Sequence, residues 1–351
     1  MANEHPSVTV AIPVLNEAGH IERVLKQFQQ SSYPYLREIL VADGGSADGT
    51  RDIVRRVAKT DKRVRLLDSP KRVQSAALNR MLEIARGDVF LRADAHCFYA
   101  SDYVEACVSA LLNSQALNVG GAQRFVAVTP FQAGIVLASK SPLGNGGAKY
   151  RDPNYDGYAE TVYIGCYWRN AVIDLGRFDE DAVTNEDAEL NLRLLKKQDK
   201  AIYISSCIQV WYLPRDSFLS LLRQYFKYGR GRSRTASKHP SKSFNRSKLL
   251  FYVLLVLSLI VLWGSLFYSI LLSLITIISA LLFALIESTR IALKTNPYFA
   301  NTFWMSNCRR VPNLITRMLF CWSALVGMPL AHFAGQLYQM VRNKLLGISS
   351  W

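Results

Sequence analysis

The sequence predicts an α/β fold with a mostly parallel sheet in its amino-terminal part, followed by helices composed for a membrane. Three observations predict it. Short apolar, β-branched runs alternate with stretches of helical spacing over residues 7–92. Polar residues stand at the ends of those runs. No charged residue occurs over residues 249–286. Alternating strands and helices wind into a sheet covered on both faces, and polar residues at its strand ends mark where such sheets take ligands.

Each element follows from local pattern. Residues 7–15 (SVTVAIPVL) are short, apolar and β-branched, and read as a buried strand. Residues 18–29 place Ile21, Val24, Leu25 and Phe28 at helical spacing. A second strand, residues 38–42, runs into the turn DGGSADGT, after which Thr50 is placed to cap a helix carrying Ile53, Val54 and Val57. Residues 64–67 make a third strand, 75–85 a helix and 88–92 a fourth strand. Beyond Gly120 the pattern loosens. Residues 141–158, rich in Gly, Pro, Asn and Asp, read as a loop or lid. Helical spacing returns over 185–197, and 201–204 reads as a strand. Residues 217–228 set Phe218, Leu221, Leu222, Tyr225 and Phe226 on one helical face. That stripe serves either a helix lying on a membrane surface or one packed in a core.

The chain of 351 residues has room for one large domain with appendages or for two domains. About 20 apolar residues cross a bilayer, so the uncharged stretch is too long for one simple span. Two spans joined by a turn near Gly264 and Ser265 fit it, with a single tilted helix as the alternative. Residues 314–340 are apolar enough for a third span, yet Pro329 and His332 interrupt them, and a re-entrant or surface segment is the other reading. The expected layout is a soluble domain over 1–216, a membrane-interface segment over 217–248 and a transmembrane region over 249–351. No basic region with an apolar core opens the chain, so no cleavable signal is expected and the amino-terminal domain is expected in the cytoplasm.

A net charge of +15 first points to nucleic acid, but its distribution points elsewhere. Lys227, Arg230, Arg232, Arg234, Lys238, Lys242, Arg246 and Lys248 follow one another with no acidic residue between them, directly before the uncharged stretch. The positive-inside rule places such a block at the cytoplasmic face. Anionic headgroups or a lipid-linked phosphate are the expected partners, and nucleic acid is not. The six cysteines show neither a Cys-x-x-Cys pair nor zinc-like spacing, which fits reduced, buried thiols.

Three acidic groupings carry the chemistry. Asp43 ends an apolar strand and precedes two glycines, so its carboxylate can accept hydrogen bonds from a base or ribose while the backbone approaches closely. A plain Asp-Gly turn has the same composition. The run Arg92-Ala93-Asp94-Ala95-His96 ends another strand, and alternation along it puts Asp94 and His96 on one side. Carboxylate and imidazole suit Mn2+ and, less well, Mg2+. Such an ion on a diphosphate would neutralise charge on a nucleotide leaving group. A histidine hydrogen-bonded within the fold is the alternative. Asn185-Glu186-Asp187 opens a helix. Acids there satisfy the first N–H groups and the dipole, and one can also serve as general base for a hydroxyl.

VTVAIPVLNE, VADGGSADGT, RADAH and TNEDAELNLRL, in this order and spacing, resemble the signatures of glycosyltransferase family 2, which has the GT-A fold. The resemblance spans residues 7–232. Within the family the chain most resembles the succinoglycan-type exopolysaccharide glycosyltransferases (ExoA-like). That rests on the Asp-Ala-His metal motif, the NEDAEL helix, the segment RQYFKYGRGR and the apolar carboxyl region. The resemblance implies that Pro13, Glu17, Asp43 and Asp94 bind the nucleotide-sugar, Asp94 being the first acid of the Asp-x-Asp motif. His96 stands where that motif has its second acid, the usual main metal ligand. Asp187 matches the catalytic base, with Glu186 beside it. Gln224-x-x-Lys227-Tyr228 resembles the Gln-x-x-Arg-Trp segment of processive synthases, with Lys for Arg and Tyr for Trp; with Arg230 and Arg232 it is implied to hold the acceptor or its diphosphate.

The implied activity is inverting transfer, dependent on Mn2+ or Mg2+, of glucose or a similar hexose from a UDP-sugar to an undecaprenyl-diphosphate-linked saccharide. The implied place is the bacterial inner membrane, with the catalytic domain facing the cytoplasm. A polyprenyl-phosphate sugar synthase, a processive polysaccharide synthase and a catalytically inactive nucleotide-sugar-binding partner are the alternatives.

Overall fold

The computed structural model describes residues 5–145, 147–239, 256, 259, 261–264 and 270–345. The chain divides into two compact units, Met1–Arg124 with Lys149–Tyr212 and Phe125–Ala148 with Leu213–Ser349. The first unit begins with β1 (Val8–Val14), α1 (Ile21–Gln29), β2 (Leu36–Asp43), α2 (Thr50–Thr60) and β3 (Val64–Asp68). It continues with α3 (Gln74–Ile84), β4 (Val89–Arg92), β5 (Cys97–Tyr99), α4 (Tyr103–Ser114) and β6 (Asn118–Phe125). Two helices of the second unit follow, α5 (Pro130–Ala138) and α6 (Pro142–Asn145). The chain then returns through β7 (Gly157–Tyr158), β8 (Tyr163–Trp168), α7 (Arg169–Asp174), α8 (Glu186–Lys197) and β9 (Ile202–Tyr212).

These strands form one sheet in the order β3-β2-β1-β4-β8-β6-β9-β5, with β7 paired to β9. The sheet is parallel from β3 to β4 and antiparallel where β8, β6, β5 and β7 join. The parallel half is the part whose strand–helix alternation is visible in the sequence. β1 is buried along almost its whole length because helices cover both faces, which is why it reads as a continuous apolar run. α1 buries Ile21, Val24, Leu25 and Phe28, the face its spacing marks. Strand order reverses between β1 and β4, and ligands of such sheets collect at the crevice this opens. Register puts Val14 beside Asp43, Asp43 beside Asp68, and Ala11 beside Arg92.

Two local expectations change. Thr50 is the first residue of α2 and Gly49, with φ 91°, occupies the cap position. The Thr50 hydroxyl instead donates to Asp48 Oδ1 at 2.6 Å and accepts the Glu17 N–H at 2.8 Å, tying the loop after β1 to the start of α2. The loop expected over 141–158 contains α6, a turn of 3-10 helix and β7, and it is divided between the two units.

The second unit adds α9 (Phe218–Lys238), α10 (Ile270–Thr295), α11 (Phe299–Phe303) and α12 (Leu314–Leu345). Part of the apolar stripe of α9 packs inside this unit. Phe226 lies 5.7 Å from the Tyr338 ring, and Phe131 of α5 meets Phe218 and Phe320 edge-on at 6.4 and 5.4 Å. Phe218 touches Phe131 yet stays exposed, as do Leu219 and Tyr228. α9 and α12 approach closely because each offers a glycine. A Cβ on Gly229 would lie 1.9 Å from the His332 carbonyl oxygen, and one on Gly335 2.0 Å from that of Phe226. Gly229→Leu or Gly335→Leu is expected to force the helices apart and cost about 3 kcal/mol, seen as a lower melting temperature in detergent. An unchanged melting temperature would contradict this packing.

Among the described residues, two stretches, Leu274–Phe303 and Leu314–Asn343, are long and apolar enough to cross a membrane. α10 exposes Ile270, Leu274, Ile278, Leu282, Phe283 and Ile286, side chains suited to lipid. Residues 314–340, where Pro329 and His332 were expected to interrupt a span, lie in the one helix α12. Pro329 removes a single backbone donor there without ending it. The first span expected within 249–286, with its turn at Ser265, falls largely outside the described residues.

Candidate active site

Strands β1, β2 and β4 end side by side; Asp43 stands at the end of β2 and Asp94 just beyond the end of β4, while Glu186 and Asp187 open α8. Asp43 is 1% exposed and is the hub of the glycine-rich turn. Its Oδ2 accepts the N–H groups of Gly45 and Ser46 at 3.0 and 3.1 Å, and its Oδ1 accepts the Ser46 hydroxyl. Arg51 donates to Oδ2 at 2.8 Å and bridges on to Asp68 at 2.6 Å. Burial raises the Asp43 pKa, but the bonds from Ser46, Arg51 and Gly45 outweigh it and hold the carboxyl below its ordinary range. A depressed carboxyl stabilises the fold at neutral pH and loses that contribution as pH falls through the folded-state pKa. Asp43→Ala is therefore expected to cost about 3 kcal/mol at pH 7 and distinctly less in acid. A melting-temperature loss independent of pH would contradict it.

The loop after β1 is locked onto this turn. Asn16 donates its N–H to the Ser46 hydroxyl at 2.8 Å and accepts that of Ala47 at 2.9 Å. Ala18 N–H donates to Asp48 Oδ2 at 2.9 Å. Pro13 pairs with Ala42 near the strand ends. Three non-glycine residues in these surroundings have left-handed backbones: Asn16 (φ 57°), Arg72 (φ 54°) and Asn185 (φ 68°). Such conformations cost energy and persist where surrounding structure over-determines them, often at functional sites. Arg72, which the sequence pattern did not single out, sits against the turn: a Cβ on Gly45 would lie 3.4 Å from its Nη2.

A second group forms around Arg92, the last residue of β4 and 7% exposed. Its Nε donates to Asp94 Oδ1 at 3.2 Å and its Nη2 approaches Asp94 Oδ2 at 3.5 Å. Its Nη1 donates to Glu186 Oε1 at 3.0 Å. Gln74 also reaches Asp94 Oδ1, at 3.3 Å. The Tyr99 hydroxyl grips the Asp94 backbone, accepting its N–H at 2.6 Å and donating to its carbonyl at 3.0 Å. Burial opposes the Arg92 charge, but Asp94, Glu186 and Asp187 overcome it and hold the guanidinium charged.

Glu186 and Asp187 are adjacent in sequence and differ in surroundings. Glu186 is 4% exposed and bound to Arg92. Burial pushes its carboxyl up to about 7; Arg92 opposes this, while Asp187 and Asp94 add to it. Folding thus retains a proton on Glu186 that the unfolded chain releases near the ordinary glutamate value of 4.5. Stability on this account falls as pH rises from that value to about 7, then levels off. Glu186→Gln, which does not titrate, is expected to flatten that slope in melting temperature, and an unchanged slope would refute the assignment. Asp187 is only partly buried, and its Oδ1 accepts the Ala188 N–H at 2.7 Å.

His96 turns its Nδ1 toward Glu17 Oε1 at 3.6 Å, and its ring meets Tyr212 edge-on at 5.4 Å. The fold thus joins a residue expected on the metal to one expected on the nucleotide. Among the described residues no three His, Cys, Asp or Glu side chains converge as a complete metal site. The donor set still fits a divalent cation. Asp94 keeps lone pairs beyond those facing Arg92 and Gln74. With Nδ1 turned toward Glu17, a neutral His96 can offer the lone pair of Nε2 to an ion. Two protein ligands fit an ion that takes its remaining ligands from a diphosphate.

Pro13, Glu17, Asp43, Asp94, His96, Glu186 and Asp187 all belong to the first unit. Gln224, Lys227, Tyr228, Arg230 and Arg232 lie on α9 in the second. There Gln224 donates to the Tyr228 hydroxyl at 2.9 Å, and Arg230 donates to Gln339 at 3.1 Å with its guanidinium 5.1 Å from the Tyr338 ring. Arg92, Tyr99 and Gln74 went unassigned in the sequence. Only Arg92 carried a signal, as a charge inside an apolar strand.

The model of the glycosyl transferase family 2 domain matches residues 9–169. Succinoglycan biosynthesis protein ExoA of Rhizobium meliloti is 41% identical over 235 residues, 66% of this chain and 71% of that protein. A dolichyl N-acetylglucosaminyl phosphate glucuronosyltransferase of Methanococcus voltae is 26% identical over 231 residues, 63% of this chain and 71% of its own length. Among solved structures, the mannosyltransferase PcManGT of Pyrobaculum calidifontis, in complex with GDP-Man and Mn2+, superposes with a TM-score of 0.57 at 20% identity. That match covers 96% of this chain and 88% of the other, and it shows the GT-A fold. With its motifs in order and a relative this similar over most of its length, the chain belongs to glycosyltransferase family 2.

Proposed function

We propose that this glycosyltransferase moves a hexose, with inversion, from a UDP-sugar such as UDP-glucose to a polyprenyl-diphosphate-linked saccharide in exopolysaccharide synthesis. The observation that carries the proposal is the buried Arg92, whose two edges hold Asp94 at a strand end and Glu186 beside Asp187 at a helix start. Uracil and ribose rest near Glu17 and the Asp43 turn, and the diphosphate extends toward Asp94 and His96. Those two residues would hold Mn2+ or Mg2+, which would supply charge neutralisation for the departing diphosphate. Asp187 accepts the proton of the acceptor hydroxyl while that oxygen attacks the anomeric carbon opposite the departing UDP. Glu186, buried and bound to Arg92, holds the start of α8 in place.

Several features support a lipid-borne acceptor. Two stretches are long and apolar enough to cross a membrane, and the uninterrupted basic run of residues 227–248 suits anionic headgroups. The Methanococcus relative is named for a dolichyl-linked substrate, and the Rhizobium relative for exopolysaccharide synthesis. The proposed setting is the bacterial inner membrane with the first unit in the cytoplasm, where nucleotide-sugars are made. The Mn2+ and GDP-Man held in complex by the Pyrobaculum mannosyltransferase accord with a nucleotide-sugar donor and a divalent ion here.

The test is full-length protein in lipid nanodiscs with Mn2+, labelled UDP- and GDP-sugars, and polyprenyl phosphates and diphosphate-linked saccharides as acceptors. A labelled diphosphate-linked product from a UDP-sugar is expected. Chelation by EDTA is expected to lower the rate at least ~10²-fold, with recovery on adding Mn2+. Product on the lipid monophosphate alone would make the enzyme a polyprenyl-phosphate sugar synthase. No transfer to any lipid would sink the proposal.

A further inference from the structure

Arg92 ends a buried strand of the parallel sheet. It pairs with Ala11 in the parallel sheet, and the next residue, Ala93, donates its N–H to the Ala11 carbonyl at 2.8 Å. From this fixed base one planar group reaches two carboxylates on different elements, Asp94 through Nε and Nη2 and Glu186 through Nη1. The Asp94 backbone is clamped by Tyr99, so its carboxylate moves chiefly by rotation of the side chain. Glu186 is the first residue of α8 and adjoins Asp187. A guanidinium satisfies two carboxylates at once only in a narrow range of geometries, because its donors form a rigid fork. In a buried setting a shift at one edge is felt strongly at the other.

We infer that Arg92 is a positioning residue that couples the donor side of the site to the acceptor side: occupancy beside Asp94 sets the order of the α8 start that carries Asp187. The inference rests on the reading of Asp94 as donor-facing and Asp187 as acceptor-facing. A charged donor group arriving at Asp94 changes the pull on the guanidinium, and Nη1 passes that change to Glu186. The effect is reciprocal, as any coupling of two binding sites must be. Arg92→Lys keeps the charge but cannot span both partners. Glu186→Ala cuts the far end and leaves the Arg92–Asp94 pair. Glu186→Gln keeps an oxygen that accepts from Nη1.

The experiment is amide hydrogen exchange on the full chain in nanodiscs, with and without UDP–Mn2+ and, separately, GDP–Mn2+. In the wild type a bound nucleotide is expected to slow exchange in peptides covering residues 43–50 and also in those covering 186–190, the latter by about tenfold. In Arg92→Lys the slowing at 43–50 remains and that at 186–190 drops below about twofold. Glu186→Ala behaves as Arg92→Lys, and Glu186→Gln retains most of the wild-type response. A helix incidental to the donor site would show none of this pattern.

Wild-type slowing at 186–190 in Arg92→Lys would overturn the inference and leave the donor reading standing. So would a wild type that responds at 43–50 but not at 186–190. If neither nucleotide slows exchange at 43–50 in the wild type, the donor-site reading falls and takes this inference with it. Should Arg92→Lys lose protection throughout the chain, Glu186→Ala decides by the same criteria.

Discussion

Asp187→Asn is expected to slow sugar transfer by about 10²–10⁴-fold, the usual contribution of a positioned general base, while nucleotide affinity stays within a few-fold. The substitution keeps size and shape and removes only the ability to take a proton at neutral pH. The asparagine Oδ1 can still accept the Ala188 N–H that Asp187 accepts at 2.7 Å, so the first turn of α8 keeps its bond. Glu186 cannot stand in, because its carboxylate is buried and held by Arg92. The two measurements are single-turnover UDP release and calorimetric nucleotide binding. Transfer by Asp187→Asn at the wild-type rate would show that the base lies elsewhere.

Asp94→Asn is expected to lower kcat/KM by at least ~10²-fold, from the loss of both a metal ligand and a charge partner. The new amide turns an N–H2 or its oxygen toward a guanidinium that has only donors to offer, so one contact with Arg92 becomes donor against donor. Residual activity is expected to need far more Mn2+. His96→Ala is expected to be milder and largely restored by excess Mn2+, since Asp94 and the diphosphate oxygens still hold the ion. Manganese binding followed by electron paramagnetic resonance checks this without turnover. Wild-type Mn2+ affinity in Asp94→Asn would remove that residue from the metal site.

The parts of the fold legible in the sequence are those with a local cause. β1 to β4 and the helices between them carry their periods in contiguous residues, and the observed bounds differ from the expected ones by a few positions at most. In the antiparallel half only the start of β9 carried such a signal, over 201–204, and the strand runs on to Tyr212. β6 (NVGGAQRF) and β8 (YIGCYW) are interrupted by glycines, and their partners are strands distant in the chain. The assignment of residues 125–148 to the second unit was likewise invisible, because α5 is apolar nearly all round and could have served either core.

The candidate site divides in the same way. Asp43, Asp94, His96, Glu186 and Asp187 stand out in the sequence by residue type and position alone. What they bond to does not. Asp43 serves the turn's own N–H groups and Arg51. His96 faces Glu17 across 3.6 Å from a different strand end.

The sequence by itself determined the family of the chain, the parallel half of its sheet, its strand-end acids and its apolar carboxyl-terminal helices. Period, composition and motif order are properties of neighbouring residues, and they survive without a fold. Only the tertiary structure decided that Glu186 turns inward to Arg92 while Asp187 does not, and that α9 and α12 meet at paired glycines. Those outcomes depend on which distant groups share a buried space, where an unmatched charge or a clashing Cβ is costly, and one-dimensional pattern carries no record of that space.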